Sequence, residues 1–462
     1  MVSSNRANSA AEAYYFYAKS RNRVPYWPLI LLIVSFFYCL PLGRFNLGGF
    51  DSDFRVFDFA IVFVFGYYFT HELVMHEINR IIHDNQWFTR WLKVLIILLL
   101  LSLLVATAYS GTDFILPRLI RIFRFLAYLS VPFLVMAVVR TRSQFIALFN
   151  TLFWVIATVS VIAFLQGLDL LPNFWPDYWR KMYDENEAPV ATLSPHHKHI
   201  GVVMMVGLCL GIGYFFRTKA WWFKMLIAGF ILIMFTVPLF AGTRTYLLAF
   251  VGVIPAMLYI GRLNLIIPMV VLVGGGLLFL QFGSGSGEVT SRVEEKFEER
   301  VTARVDKLGY EGLYRERTVI YWDILNALIE HPYLLVTGTG FQNIFAFVGA
   351  NGAHNNYMQA LMELGLLGLI VFLSFLALLW RNLLDTARIR DREISSMAQY
   401  TWVALCGIIM TMFVGETFWG QAAMFTLAGQ LSFMFALAVS PLYWLTRYQN
   451  QIVKRNKAAQ QQ

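Results

Sequence analysis

The chain has 462 residues, of which 58% are hydrophobic and 14% charged, with a formal net charge of +9. This composition is too apolar for a soluble protein of this size and indicates a polytopic membrane protein. In such proteins an excess of Lys and Arg usually reports orientation in the membrane, so no nucleic-acid partner is expected. Cys39, Cys209 and Cys406 lie in separate apolar runs and are predicted to be packing residues, with no disulfide or metal role.

Apolar runs close to the length of about 20 residues that a membrane helix needs occur twelve times. They lie near 26–42, 55–70, 92–109, 118–139, 144–166, 199–216, 222–241, 245–260, 263–282, 357–380, 398–415 and 422–446. We therefore predict an all-α polytopic fold with about 12 transmembrane helices. The predicted divisions are spans 1–9 in 1–282, a large loop in 283–356, spans 10–12 in 357–446, and a cytoplasmic tail in 447–462.

The distribution of Lys and Arg predicts the orientation of these spans. With the N-terminus inside, 21 basic residues fall in the cytoplasmic segments and 9 on the other side, leaving out the loop 283–356, because long loops escape the rule. Both termini are therefore expected in the cytoplasm, and the loops 167–198 and 283–356 on the outer face. The first apolar run follows Lys19, Arg21 and Arg23 and is expected to be a retained anchor, with no cleavable signal peptide.

The large loop carries the patterns of an ordered helical cap. An amphipathic helix is predicted over 289–308, where an apolar residue recurs every four positions: Val289, Val293, Phe297, Val301 and Val305. A second helix is predicted over 315–330, ending before His331-Pro332. Gly338-Thr-Gly340 predicts a turn before the chain returns to the membrane.

His354 lies immediately before the predicted tenth span and is the candidate general base. A histidine titrates near neutral pH, which suits proton transfer under working conditions. The start of a helix also offers N–H groups and a positive dipole to an anion, so an anionic substrate is expected beside it. The alternative is that His354 only caps the span together with Asn355.

Two arginines are candidates to bind a phosphate-bearing substrate on the outer face. Arg244 lies between the seventh and eighth predicted spans, and Arg317 lies early in the second loop helix, where Arg315 is its rival. Guanidinium groups bind phosphate through two parallel hydrogen bonds. The alternatives are an interfacial position for Arg244 and a surface ion pair of Arg317 with Glu311 or Glu316.

Arg118, Arg121 and Arg124 recur every third residue at the outer end of the fourth span and are candidates to hold lipid phosphates. The alternative is simple contact with headgroups.

Two other polar groups are predicted to be structural. His196, His197 and His199 lack the spacing and companion ligands of a zinc site, so we expect no metal there and place them at the outer mouth of the sixth span. Glu363 is expected to be a packing partner inside the tenth span.

Several of these features recur together in the later part of the chain. In order they are Arg244, Arg317, Tyr321, His331-Pro332, Gly338-Thr-Gly340, His354-Asn355 and Glu363-Leu-Gly365-Leu-Leu-Gly368. The combination resembles the O-antigen ligase family, which includes O-antigen polymerases and pilin oligosaccharyltransferases. The likeness covers about 199 to 380, and the first 150 residues only by topology. Tyr321 departs from the family pattern, which has tryptophan; Trp322 is adjacent.

The resemblance implies transfer of a glycan from undecaprenyl pyrophosphate, without metal or other cofactor, on the periplasmic face of a Gram-negative inner membrane. His354 would be the general base, and Arg317 and Arg244 would hold the pyrophosphate. The implied partners are the undecaprenyl-pyrophosphate-linked O-antigen, the lipid A–core oligosaccharide and membrane lipids. The implied substrate-binding residues are Arg118, Arg121, Arg124, Arg315, Asn355 and Tyr321.

Three other functions stay open. An O-antigen polymerase would use a lipid-linked glycan as acceptor too, and the outer loop 167–198 is compatible with it, although the dominant loop between the ninth and tenth spans favours a ligase. A pilin oligosaccharyltransferase is disfavoured by the short tail after 446. A lipid-linked oligosaccharide flippase would need polar residues facing both sides, whereas the candidates gather on one face; transporters also often contain internal repeats, and none is visible here.

Overall fold

The computed structural model describes residues 24–38, 40–47, 50–84, 86–111, 115–175, 197–241, 244–260, 318–348, 352–414 and 425–461. These residues are mostly helical. Seven of their helices are long and apolar enough to cross a membrane, and a bent pair would make an eighth span. The structure therefore supports a multi-pass membrane protein. The predicted ninth span, 263–282, and the predicted loop helix, 289–308, lie outside the described residues.

The first half of the chain forms a short helix, a hairpin and a series of longer helices. The elements are α1 Trp27–Phe37, β1 Pro41–Leu47, β2 Phe50–Arg55, α2 Val56–Phe69, α3 Glu72–Asp84, α4 Gln86–Ser110, α5 Ile115–Val138, α6 Arg142–Gly167 and α7 His197–Arg217.

The second half continues with α8 Trp221–Phe240, α9 Arg244–Tyr259, a helical stretch α10 at 318–330, α11 Leu334–Thr337, α12 Phe345–Val348, α13 Asn356–Ala387, α14 Arg392–Thr411 and α15 Phe425–Gln461. The helix α15 continues to Gln461, into the segment 447–462 that is predicted to be a tail.

The predicted helical fold is confirmed for most of the described residues, but the connection after α1 is a β-hairpin. The predicted span 26–42 ends as a helix at Phe37, and an antiparallel pair β1–β2 follows, with Leu47 opposite Phe50. The alternation of polar and apolar residues in Arg44-Phe-Asn-Leu47, followed by Gly48-Gly49, is a hairpin signal that the apolar runs do not reveal.

The second predicted span is also shorter than expected. Its helix α2 has 14 residues and is followed, after a bend of 96°, by the amphipathic helix α3. The buried face of α3 consists of Val74, Glu77 and Ile81, spaced three and four residues apart, and α3 packs against α5. Because α3 carries exposed charges on its other face, a lipid-crossing orientation is unfavourable for it.

The helices α7 and α14 form the centre of the bundle, since they are the most buried of the spans. They pack against each other, and α14 also packs along α9 and α13. Close approach depends on small residues: a Cβ added to Gly252 of α9 would lie 2.3 Å from the carbonyl oxygen of Cys406 in α14. The end of this central helix α14 meets the beginning of α13, where His354 lies.

The 32-residue helix α13 contains the predicted tenth span but is broken at Gly365, whose φ is 69°. The nine residues before the break, 356–364, form a separate short helical segment. The residues after it are long enough to cross a bilayer.

Candidate functional site

His354 is half-buried and adopts a left-handed backbone conformation, with φ of 49°. This region costs a non-glycine residue of the order of 1–3 kcal/mol and is typically maintained only where surrounding contacts fix it. His354 directly precedes Asn355, the N-cap of α13. The predicted position of the histidine at the mouth of the helix is therefore confirmed.

The neighbour Asn355, and not His354, caps the helix. Its Oδ1 accepts hydrogen bonds from the backbone N–H groups of Tyr357 and Met358, at 2.9 and 3.1 Å. Its Nδ2 donates to the carbonyl oxygen of Phe413, 3.1 Å away. These bonds attach the start of α13 to the end of α14.

The expectation that N–H groups at this helix start are available to an anion is wrong. The N–H of Asn356 donates to the Met412 carbonyl at 2.9 Å, and that of Gln359 donates to the Asn355 carbonyl at 2.9 Å. Together with the two groups bound by the Asn355 side chain, the first turn of α13 is occupied by protein acceptors. Anion binding here therefore depends on the helix dipole and on side chains.

A buried polar pair in the first segment of α13 fixes the residue before His354. The Oε1 of Gln359 accepts the backbone N–H of Ala353 at 2.7 Å, and its Nε2 donates to the Oε1 of Glu363. Both side chains are almost completely buried. Glu363 acts as the packing partner that the sequence predicts, and its hydrogen bond orients the amide that supports the histidine loop.

The Gly338-Thr-Gly340 turn docks on the break in α13. The N–H groups of Thr339 and Gly340 donate to the carbonyls of Met362 and Glu363, at 2.6 and 3.0 Å. These carbonyls lose helical partners because the chain leaves helical geometry at Gly365. The φ values of Gly338 and Gly340 are 65° and 92°.

The loop that follows the turn is fastened to α4 and α5. The Nη2 of Arg118 donates to the Oδ1 of Asn343 at 2.7 Å, and the same oxygen accepts the hydroxyl of Ser110. Asn343 is fully buried, and its Nδ2 donates to the Thr339 carbonyl at 2.8 Å. Arg121 donates to the Oε1 of Gln342, which has a left-handed φ of 54°.

The three arginines of α5 therefore have protein partners. Arg118 and Arg121 hold the loop 342–343, while Arg124 forms an ion pair with Asp58 of α2 at 2.8 Å. Binding of lipid phosphates by these arginines stays a prediction, and the structure gives each a bond within the protein.

The remaining predicted site residues are placed only in part. Arg244 is the first residue of α9, and its side chain lies outside the described structure. Arg315 and Arg317 lie in the undescribed segment 261–317, so their convergence with His354 stays a prediction. Tyr321 lies in α10, and its hydroxyl donates to the Phe413 carbonyl at 3.2 Å.

The helix α7 begins at His197, within the predicted histidine group 196–199. His199 is buried, whereas His196 and the side chains of His197 and Lys198 fall outside the description. Among the described residues, no three His, Cys, Asp or Glu side chains gather as metal ligands.

The sequence patterns did not indicate a role for Gln359, Gln342 or Asn343. A four-residue spacing between Gln359 and Glu363 in an otherwise apolar helix was an available signal, because residues at i and i+4 face each other. Asn343 gave no comparable signal, since its partner Arg118 is 225 positions away.

The fold and site define a multi-pass helical membrane protein with a half-buried histidine at one end of the bundle. No protein-family model matches the chain, and no curated protein matches it significantly.

Proposed function

We propose that the chain is a membrane-embedded glycosyl-transferring enzyme, an O-antigen ligase that moves a polysaccharide from undecaprenyl pyrophosphate to a hydroxyl of lipid A–core oligosaccharide. The observation that carries the proposal is the left-handed conformation of His354 at the mouth of α13. Conformational strain of this kind concentrates at functional sites. The resemblance of the 199–380 region to the ligase family supplies the substrate classes.

In the proposed reaction His354 takes the proton of the acceptor hydroxyl. The oxygen then forms a bond to the anomeric carbon of the donor glycan, and the bond from that carbon to the pyrophosphate oxygen breaks. The lipid pyrophosphate leaves with the electron pair and a developing negative charge. Arg244 and Arg317 bind this charge, and the dipole of α13 adds a smaller favourable field.

Because the first turn of α13 is occupied, binding of the pyrophosphate depends more strongly on arginine side chains. Because N–H groups there already have acceptors, the pyrophosphate needs side-chain donors. Arg118 and Arg121 are engaged with the loop 342–343. We therefore keep Arg244 and Arg317 as the proposed pyrophosphate ligands, and Arg315 is their proposed rival among the substrate-binding residues.

The experiment compares His354→Ala with His331→Ala in protein purified into lipid nanodiscs. His331 is a second half-buried loop histidine, packed against the rings of Tyr333 and Phe347. We expect His354→Ala to lose transfer by at least about 100-fold, the scale of general-base catalysis, while binding of the lipid-linked donor persists. His331→Ala should retain transfer within a few fold.

The products of the reaction distinguish a ligase from a polymerase and from a flippase. A ligase attaches long polymer to lipid A–core, whereas a polymerase lengthens a lipid-linked glycan, and a flippase moves the donor across the bilayer without changing it. Near-normal transfer by well-folded His354→Ala protein would refute the role of the histidine. Donor translocation without new glycosidic bonds would refute the enzyme.

A further inference from the structure

The outward side of α10 exposes large apolar side chains. Ile329 is 75% exposed, Trp322 60% and Leu325 40%. At 3.6 residues per turn these three positions fall within about 60° of one another. Such a row on a helix outside the long spans would be unfavourable in water.

The opposite side of α10 is already packed. Ile324 and Ala327 are buried in a small apolar cluster with Met362 of α13 and Val348 of α12. Between the two apolar sides lies a sector with the polar residues Asp323, Asn326 and Glu330, again within about 60°, and with Val319 in the first turn of the helix. The helix therefore has one side packed on protein, one apolar side that the described residues leave exposed, and a narrow side that is polar beyond its first turn.

The exposed apolar row continues along the chain after α10. Tyr333 is 46% exposed and Val336 80%. The backbone at Val336 lies against the break in α13, since a Cβ on Gly365 would come within 2.7 Å of the Val336 carbonyl oxygen. Immediately beyond that break Leu366 and Leu367 are half exposed on the long apolar part of the span.

Aromatic residues lie close to the junction between the exposed row and α13. Trp322 and Tyr333 lie on the exposed row, and Tyr109, at the end of α4, packs edge-to-face on Phe347 with ring centroids 4.8 Å apart. Tryptophan and tyrosine are enriched where hydrocarbon gives way to headgroups. The exposed apolar row thus reaches the break in α13, beside the exposed Leu366 and Leu367 of the span.

We propose that α10 lies along the membrane surface, with Trp322, Leu325, Ile329 and Val336 in contact with lipid chains and Asn326 and Glu330 toward water. The arrangement is that of an interfacial amphipathic helix. The partner of this surface is the bilayer itself. The inference does not rest on the transferase proposal, because it uses only the exposed surface and its continuity with the span.

A competing occupant is the undescribed segment 289–308, whose predicted apolar side would cover the same row. Lipid is favoured because the backbone of Val336 lies against the break at Gly365, directly beside the exposed Leu366 and Leu367 of a helix that is long and apolar enough to cross a membrane.

Spin labelling tests the proposal in vesicles of phosphatidylethanolamine and phosphatidylglycerol. Cysteines are introduced singly as Ile329→Cys, Val336→Cys, Asn326→Cys and Leu367→Cys. The unmodified protein is the blank; among its native thiols, Cys209 and Cys406 are buried. Collision of each nitroxide with oxygen, which concentrates in hydrocarbon, is compared with collision with a water-soluble nickel complex.

The labels at 329 and 336 are expected to show an oxygen-to-nickel ratio close to that at 367 and several-fold above that at 326. A ratio at 329 equal to that at 326 would overturn the proposal, since the row would then face water. Shielding of 329 and 336 from both reagents would also overturn it, because a protein segment would cover the row. Both readings are independent of catalytic activity.

Discussion

His354 is held from both sides by residues that do no chemistry themselves. Asn355 fixes the following turn to α14, and Gln359 fixes the preceding amide of Ala353. A left-handed backbone, which is costly for histidine, persists because these bonds determine the chain direction on each side. A general base must lie within hydrogen-bonding reach of its proton, so this scaffold controls the reaction that we propose.

The Gln359→Leu variant tests this scaffold at one residue. It leaves the Ala353 N–H and the Glu363 carboxyl without their shared partner, and a buried group in that state costs about 1–3 kcal/mol. We expect kcat to fall roughly 10-fold or more with KM little changed, because the histidine is misplaced but the substrate surface persists. Steady-state transfer kinetics measure this.

The matched control is Gln399→Leu, in the interior of α14, where the Nε2 of the glutamine donates a 3.4 Å bond to the Oγ of Ser395 within its own helix. It should change kcat within about two-fold. Equal losses in the two variants would mean that any polar-to-apolar change in the bundle lowers activity, and the positioning role of Gln359 would be wrong.

The arginines proposed to bind pyrophosphate give a second prediction at this scale. Removal of a donor to a developing negative charge costs about 10²–10³-fold in rate. The transfer rates of Arg317→Ala and Arg244→Ala should each fall by that factor. The lysine variants should have rates between those of the alanine variants and the unmodified protein, because lysine lacks the planar fork. Arg315→Ala should transfer at a rate within a few fold of the unmodified protein. Single-turnover transfer measures the set, and an inactive Arg315→Ala with active Arg317→Ala would exchange their roles.

At the scale of elements, the turn at 338–340 and the break in α13 are built for each other. The break frees the carbonyls of Met362 and Glu363, and the turn supplies their N–H donors. Contact this close requires glycine: a Cβ on Gly338 would lie 2.3 Å from the Glu363 carbonyl oxygen. The turn thus sets the angle between the short segment 356–364, which follows His354, and the part of α13 after Gly365.

Gly338→Ala should therefore destabilise the protein strongly. Gly338 has φ of 65° and ψ of −176°, a region almost restricted to glycine, so alanine there costs about 1–3 kcal/mol, and the clash with the backbone of α13 adds to it. The control is Gly229→Ala in α8, where an added Cβ meets nothing within 4 Å and alanine favours the helix. Thermal unfolding in detergent should show a clear decrease for the first and none for the second. Equal thermal midpoints for the two variants would show that the turn accommodates alanine without a loss of stability.

The sequence allowed the regular elements to be predicted but not their junctions. Helices α5 to α8 correspond to the apolar runs 118–139, 144–166, 199–216 and 222–241, because hydrocarbon dictates both length and composition. The break at Gly365 gave no such signal, since glycine is common in membrane helices. The buried bond between Arg118 and Asn343 depends on tertiary contact alone, so it appeared only as a row of arginines.

At the scale of the whole molecule, the two ends of the bundle are stabilised differently. The end that carries His354 is joined by hydrogen bonds of backbone groups and of the side-chain amides of Asn343, Asn355 and Gln359. The opposite end is joined by ion pairs, with Glu77 of α3 bound to Arg447 of α15 and 3.9 Å from Arg140. Burial lowers the pKa of Arg140, and the nearby carboxylate of Glu77 opposes that shift.

These ion pairs bring together segments that the Lys and Arg count had assigned to one side. Arg142, two residues after Arg140, pairs with Asp391 at the start of α14, 2.8 Å away. Chain segments near 80, 140, 391 and 447 therefore share one end of the bundle. Their assignment to the cytoplasm stays a prediction from charge.

Glu77→Gln tests whether this end secures the fold. The substitution keeps the size of the side chain but leaves two basic groups, both stacked within 5.5 Å of the Trp444 ring centre, without their counter-charge. Breaking a buried pair costs about 3–5 kcal/mol, whereas a surface pair contributes about 0–1 kcal/mol.

The control is Asp385→Asn, whose partners Arg381 and Arg388 are largely exposed. Thermal midpoints in detergent should fall markedly for Glu77→Gln and little for Asp385→Asn, and added salt should not rescue the former because burial limits screening. A small, salt-sensitive loss for Glu77→Gln would mean that its pairs behave as surface pairs and that the bundle is secured by apolar packing alone.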